Sequence, residues 1–291
     1  MRRRLDTELV RRGLAPSRES ARLLVAQGAV LVGGSRADKP ARLVAESDPV
    51  VVIDTHGHHF VSRGGHKLEA ALDHFAVAVS GRRCLDAGAS TGGFTDCLLG
   101  RGASVVVAVD VGHGQLDASL RHHPRVEVLE RRNIRTLQLS DAGGEPFDVL
   151  VADLSFISLV TVAPVLVGDL ARPGADVVAL VKPQFEAGRV EVSRGKGVIR
   201  DPSVRRAALE KVASAFASQG ASIMGAMASP LLGPAGNAEF LLHARAHAAP
   251  GADSGPDAWA VALDAAVAGA PDAPGADDAP GADDAPSPEA G

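Results

Sequence analysis

The chain has 291 residues, 46% of them hydrophobic, with two cysteines and a formal net charge of −5, enough apolar material for one or two cored domains. No apolar stretch approaches the roughly 20 residues of a membrane helix, and MRRRLDTELVRRG lacks the apolar region of a secretory signal, so a cytoplasmic protein is expected. Cys84 and Cys97 are too few for a disulfide framework or a zinc site and read as ordinary buried thiols.

The charge is unevenly placed. Residues 251–291 hold nine acids and no Lys or Arg, so residues 1–250 carry 30 basic against 26 acidic side chains. Residues 1–42 alone carry ten Lys/Arg against four acids, a patch suited to phosphate backbones. In this segment Leu5, Leu9 and Val10 share one helical face that stops at Gly13. Ser17 is placed to cap a second helix, carrying Ala21, Leu24 and Val25 and ending at Gly28, before the strand and turn of AVLVGG. The order R-L-D, R-x-G-L-x-x-S-R, A-x-x-L-V, G-x-V-x-V-x-G resembles the small α+β RNA-binding module named after ribosomal protein S4. That resemblance implies that Arg3, Arg4, Arg18 and Arg22 lie on RNA. Residues 51–66 read as a connector; His56, His58 and His59 lack an accompanying acid or cysteine cluster, and no metal is expected.

From residue 67 to about 247, helical and strand-like segments alternate, as in an α/β domain with a mainly parallel sheet. The predicted strands are RCLDAG, SVVVAVDV, VEVLER, FDVLVADLS, ADVVALVKP, SIMGAMASP and AEFLLHARA. The first ends at Asp86 and runs into a loop of Gly88, Ser90, Thr91, Gly92, Gly93 and Phe94. A strand, a glycine-rich turn and a helix are how doubly wound folds offer backbone N–H groups to a nucleotide-like ligand. The dinucleotide spacing G-x-G-x-x-G is absent, and an acid precedes the first glycine. Asp86 would repel a pyrophosphate but tolerate the cationic amino-acid end of S-adenosyl-L-methionine. Asp110 ends the second strand, where an acid accepts ribose hydroxyls. Asn133 and Ile134 follow the third, where an amide and an apolar side chain suit an adenine. Together these stations have the order of a class I methyltransferase, a Rossmann-like fold.

Methyl transfer to a ribose hydroxyl needs in-line positioning and a base. Of five lysines, Lys67 in SRGGHKL and Lys182 in ALVKPQFE occupy suggestive places, with Asp153 at a strand end and Glu239 at the start of a late strand. Convergence of Glu239 with the others requires that late strand to be antiparallel. Residues 249–291, rich in Ala, Pro, Gly and Asp, read as a disordered acidic tail with a short helix around 259–267.

The stretches VSRGGHKL, LDAGASTGGFTDCLL, VVAVDVGHGQL, DLSFISL and VKPQFE resemble the TlyA (haemolysin A-like) ribosomal RNA 2′-O-methyltransferases, whose catalytic domain is FtsJ-like; the likeness spans about residues 3–245. It implies an S4-like domain and connector over 1–60, a methyltransferase domain over 61–248, and a Lys-Asp-Lys-Glu tetrad at Lys67, Asp153, Lys182 and Glu239. By the same resemblance Lys182 deprotonates a cytidine 2′-hydroxyl in large-subunit, and in some members small-subunit, rRNA. A monomer is expected to suffice. Three rivals stand beside this reading: a catalytically silent RNA-binding assembly factor, a pore-forming haemolysin, unsupported by any membrane-spanning stretch, and a nicotinamide oxidoreductase, disfavoured by the loop spacing.

Overall fold

Apolar residues at helical spacing and short valine-rich runs build the N-terminal part of the chain. The computed structural model describes residues 2–26, 28–33, 35–52, 60–188, 193, 197–247 and 256–271, which fall into two units divided between residues 59 and 60. The first contains strand β1 (Arg2–Arg4), helices α1 (Leu5–Arg11) and α2 (Arg18–Ala26), and strands β2 (Val30–Val32), β3 (Ser35–Arg36), β4 (Leu43–Ala45) and β5 (Val50–Val52). β1 pairs with β4, and β2 lies between β3 and β5, all antiparallel. Leu5 and Leu9 of α1 meet Ala21 and Val25 of α2 over Val30, Val32 and Val44 in a small core. Ser17 Oγ accepts from Ser20 N at 3.1 Å, which fixes the start of α2. His56, His58 and His59 lie outside the described residues.

The second unit opens with α3 (Gly64–His74) and β6 (Arg83–Ala87), then α4 (Gly93–Gly100), β7 (Val105–Asp110), α5 (Ala118–Arg121) and β8 (Val126–Glu130). β9 (Phe147–Ala152), α6 (Leu159–Ala163), β10 (Ala171–Val181) and α7 (Pro183–Glu186) follow, then α8 (Pro202–Ser218), β11 (Ser222–Ala228), β12 (Phe240–Arg245) and α9 (Pro256–Ala268). All seven strands expected in this region form, and they make one sheet in the order β11-β12-β10-β9-β6-β7-β8. The five strands from β10 across to β8 are mutually parallel, and β12 is antiparallel to both β10 and β11. β6 and β9 are adjacent although β7 and β8 intervene in sequence, so the order reverses there; ligands of open α/β sheets bind at such a switch point.

The central strands are apolar on both sides because helices cover both faces. Leu85 and Ala87 of β6 enter one core cluster with Phe147, Leu150 and Phe216, and Cys84 enters the other with Leu68, Phe94 and Leu98. Cys84 and Cys97 are buried free thiols, and burial pushes the Cys84 thiol up to about 12. In the acidic C-terminal segment a helix forms where a short one is expected. α9 is longer than the short helix expected, and Trp259, Leu263 and Ala266 recur at helical spacing and are buried in the main core cluster. Residues 272–291 lie outside the described residues. Among the described residues no helix is long and apolar enough to cross a membrane.

Candidate active site

A cavity of about 390 Å³ opens over the carboxyl ends of β6, β7 and β9. Gly88, Ser90, Asp110, Asn133, Ile134 and Asp153 line it. Gly88 holds φ +87°, and a Cβ there would sit 2.5 Å from the Asp153 carbonyl oxygen, so only glycine lets the loop close over the neighbouring strand end. Asp110 is fixed from both sides: Ser90 N donates to Oδ2 at 2.8 Å and Gly112 N to Oδ1 at 2.7 Å. Asn133 Oδ1 accepts from Arg135 N at 3.1 Å, which sets its side chain beside the buried Ile134. A braced carboxylate, an amide and an apolar wall in a cavity of this size fit a nucleoside-bearing ligand.

Five further loop candidates do not line the cavity. Asp86 shares the β6 face of Cys84, fully buried beneath α4, where its Oδ2 accepts from Thr95 Oγ1 at 2.6 Å and its Oδ1 has no partner among the described residues. Burial pushes its carboxyl up to about 7, so it does not stand as an exposed charge awaiting a cation. Gly92, at φ +100°, caps α4, and a Cβ there would clash with Leu120 and Leu116. Gly93 permits α4 to approach α3, since its Cβ would meet Gly65 N at 2.9 Å. Phe94 is a core residue, and Thr91 is exposed. The four buried ones, Asp86, Gly92, Gly93 and Phe94, shape the loop from behind.

The four catalytic candidates come as two ion pairs. Lys182 Nζ lies 2.5 Å from Asp153 Oδ1 and donates to Ser155 Oγ at 2.9 Å. Lys67 Nζ, from α3, donates to Glu239 Oε2 at 2.5 Å, with both side chains buried. The register explains the convergence. β10 and β12 are antiparallel with Val181 opposite Phe240, so Lys182 and Glu239 are the next residues at the same sheet edge. β9 runs parallel to β10 and delivers Asp153 there as well.

Sequence reasoning missed Phe156 and Phe185. Phe156 is 92% exposed at the cavity lining, and its φ of +65° is one that a bulky residue holds at a cost of about 1–3 kcal/mol. Its ring centroid is 5.2 Å from that of Phe185, whose ring lies 5.9 Å from Lys182 Nζ. The signal was adjacency alone, Phe156 following Asp153 by three residues and Phe185 following Lys182 by three. Glu186, also missed, is buried and accepts from Leu159 N at 2.7 Å and from Ser158 Oγ, tying α7 to the start of α6.

On the first unit, Arg4, Arg18 and Arg22 all donate to the buried Asp6, and Arg3 pairs at 3.8 Å with the buried Glu8.

The FtsJ-like methyltransferase family model matches residues 60–246, and the S4 domain model matches residues 3–50. The 16S/23S rRNA (cytidine-2′-O)-methyltransferase TlyA of Mycobacterium tuberculosis is 54% identical over 244 residues, covering 84% of this chain and 90% of that protein. The chain belongs to the TlyA family of FtsJ-like methyltransferases. A Brachyspira hyodysenteriae relative named Hemolysin A is 39% identical, covering 82% of this chain and 98% of that one. A solved Streptococcus thermophilus structure described as a hemolysin superposes with TM-score 0.67 at 37% identity, over 92% of this chain and 94% of that one. In this TlyA-family chain, an S4 domain precedes a Rossmann-like methyltransferase domain.

Proposed function

We propose that this chain transfers a methyl group to the 2′-hydroxyl of a cytidine in ribosomal RNA, in the large subunit and, as the name of its Mycobacterium tuberculosis relative says of that protein, in the small subunit too. The observation that carries the reading is the Lys182–Asp153 pair, because Asp153 also lines the nucleoside-sized cavity. S-adenosylmethionine, when bound, supplies the methyl group as an electrophilic sulfonium. Asp110 would hold its ribose hydroxyls, and Asn133 and Ile134 its base.

Lys182 takes the proton from the 2′-hydroxyl as the oxygen attacks, and Asp153 stabilises the ammonium that results. Ser155 Oγ, 2.9 Å from Nζ, limits the directions in which the lysine can point. The Lys67–Glu239 pair positions the sheet edge from the α3 side. The exposed ring of Phe156, backed by the half-buried Phe185, offers aromatic area on which a base turned out of its stack can rest. The basic S4 unit supplies phosphate contacts through Arg3, Arg4, Arg18 and Arg22. The reading takes the protein to act on RNA as a monomer in the cytoplasm.

The test is transfer of labelled methyl from S-adenosylmethionine to purified large and small ribosomal subunits and to naked rRNA. Label on a cytidine 2′-oxygen is expected. Cofactor bound without label on any of these RNAs would favour the silent assembly factor.

A further inference from the structure

Three of the four arginines expected on RNA share one anchor. Asp6 sits in the first turn of α1 and is fully buried. Its Oδ1 accepts from Arg4 Nε at 3.1 Å and from Thr7 N at 2.9 Å. Its Oδ2 accepts from Arg4 Nη2 at 3.2 Å, Arg18 Nη2 at 3.1 Å and Arg22 Nε at 3.4 Å. The three arginine side chains are themselves 45%, 53% and 57% exposed. A guanidinium has five N–H donors, and each of these spends one or two on Asp6. The remainder stay toward water.

Phosphate binding by charge alone gains nothing from a carboxylate among arginines, which lowers the local charge by one. Nor is the acid required to join α1 to α2, since Leu5, Leu9, Ala21 and Val25 already pack the two helices together. What the arrangement supplies is geometry. Arg18 and Arg22 stand one turn apart on α2, Arg4 precedes α1, and all three are drawn to a common point. Free arginines carry rotamer entropy that must be lost on contact with a rigid ligand; arginines already held lose less.

We infer that Asp6 is a positioning residue for RNA, holding Arg4, Arg18 and Arg22 as a rigid guanidinium triad that fits the phosphates of a folded RNA surface in preference to a flexible polyanion. The inference rests on the RNA reading above and adds a selectivity to it. Burial raises the Asp6 carboxyl, and the hydrogen bonds from Arg4, Arg18 and Arg22 outweigh this and hold it well below the usual carboxylate range, so the anchor stays charged throughout the neutral range.

The test is direct binding of the full chain to naked large-subunit rRNA and to polyuridylate, alongside methyl-transfer kinetics. Asp6→Asn adds one net positive charge. The expected result is a split: binding to polyuridylate tightens and its salt slope steepens, while KM for rRNA rises about tenfold with kcat at saturating RNA and cofactor affinity unchanged. Asp6→Glu keeps the charge but shifts the carboxylate by one methylene, and is expected to weaken rRNA binding with no gain on polyuridylate. In an Arg4→Ala/Arg18→Ala/Arg22→Ala background the Asp6→Asn effect on rRNA disappears, which loss of helix packing would not produce. Tightening on both RNAs, or no change on either, overturns the inference. If Asp6→Asn melts the unit by circular dichroism, the Asp6→Glu result decides, and wild-type affinity for rRNA in that variant overturns it. Absence of methyl transfer by the wild-type protein would instead remove the enzymatic reading and leave the binding comparison intact.

Discussion

Lys67 and Glu239 stand 172 positions apart in the chain and meet at 2.5 Å with both side chains buried. Removing one partner leaves a buried charge without compensation, at a cost of about 3–5 kcal/mol. Glu239→Ala is therefore expected to lower the melting temperature by about 10 °C, and Lys67→Met combined with Glu239→Leu to recover most of that loss. Thermal unfolding of the three proteins checks this. A double variant as unstable as the single one would show that the pair is not the cause.

Lys182→Ala removes the proposed base. The expected outcome is a fall of about 10²–10⁴-fold in kcat, with unchanged affinity for S-adenosylmethionine by calorimetry, because Lys182 is absent from the lining of the nucleoside cavity. Substantial residual turnover would assign the proton to another group.

Phe156 holds a strained backbone conformation beside the cavity. At φ +65° glycine is unstrained, and the exposed ring buries little, so Phe156→Gly is expected to raise stability by about 1 kcal/mol. The same change removes the aromatic surface beside Phe185 and should raise KM for RNA. A variant that is both more stable and fully active would end the platform role.

The Asp86 carboxyl is pushed up to about 7 by burial, against an ordinary value of 3.8. An acid whose folded value lies above its unfolded one binds its proton more tightly when folded, so its contribution is complete below the unfolded value and lost as pH rises toward the folded one. Asp86→Asn is neutral throughout. In cofactor-free protein its melting-temperature advantage over wild type is expected to grow from about pH 5 to about pH 8. A difference independent of pH would show that Asp86 does not titrate in this window.

Much of the second unit is legible in the order of its residues. Val105–Asp110 and Phe147–Ala152 are valine-rich runs closed by turn residues, and they are strands β7 and β9. The glycine loop after β6 and the acid ending β7 marked the cavity, which Gly88, Ser90 and Asp110 do line. The place of Asp86 follows from alternation along its strand: it shares a face with Cys84, and that face points under α4 rather than into the cavity. Composition hid the packing of α9 but not its place, since an Ala-rich acidic stretch gives no sign of the core against which Trp259, Leu263 and Ala266 are buried.

The strands of the second unit, the turns that bound them, the basic N-terminal segment and the family are all legible in the order of residues. Those properties reside in residues within a turn or a strand of one another, where periodicity and backbone preference act. The pairing of Lys182 with Asp153 and of Lys67 with Glu239, the burial of Asp86 away from the cavity and the sharing of Asp6 by three arginines emerge on folding. Each of those depends on strand order, register and helix packing, which bring together side chains that no local pattern relates, and burial then fixes which charges must find one another.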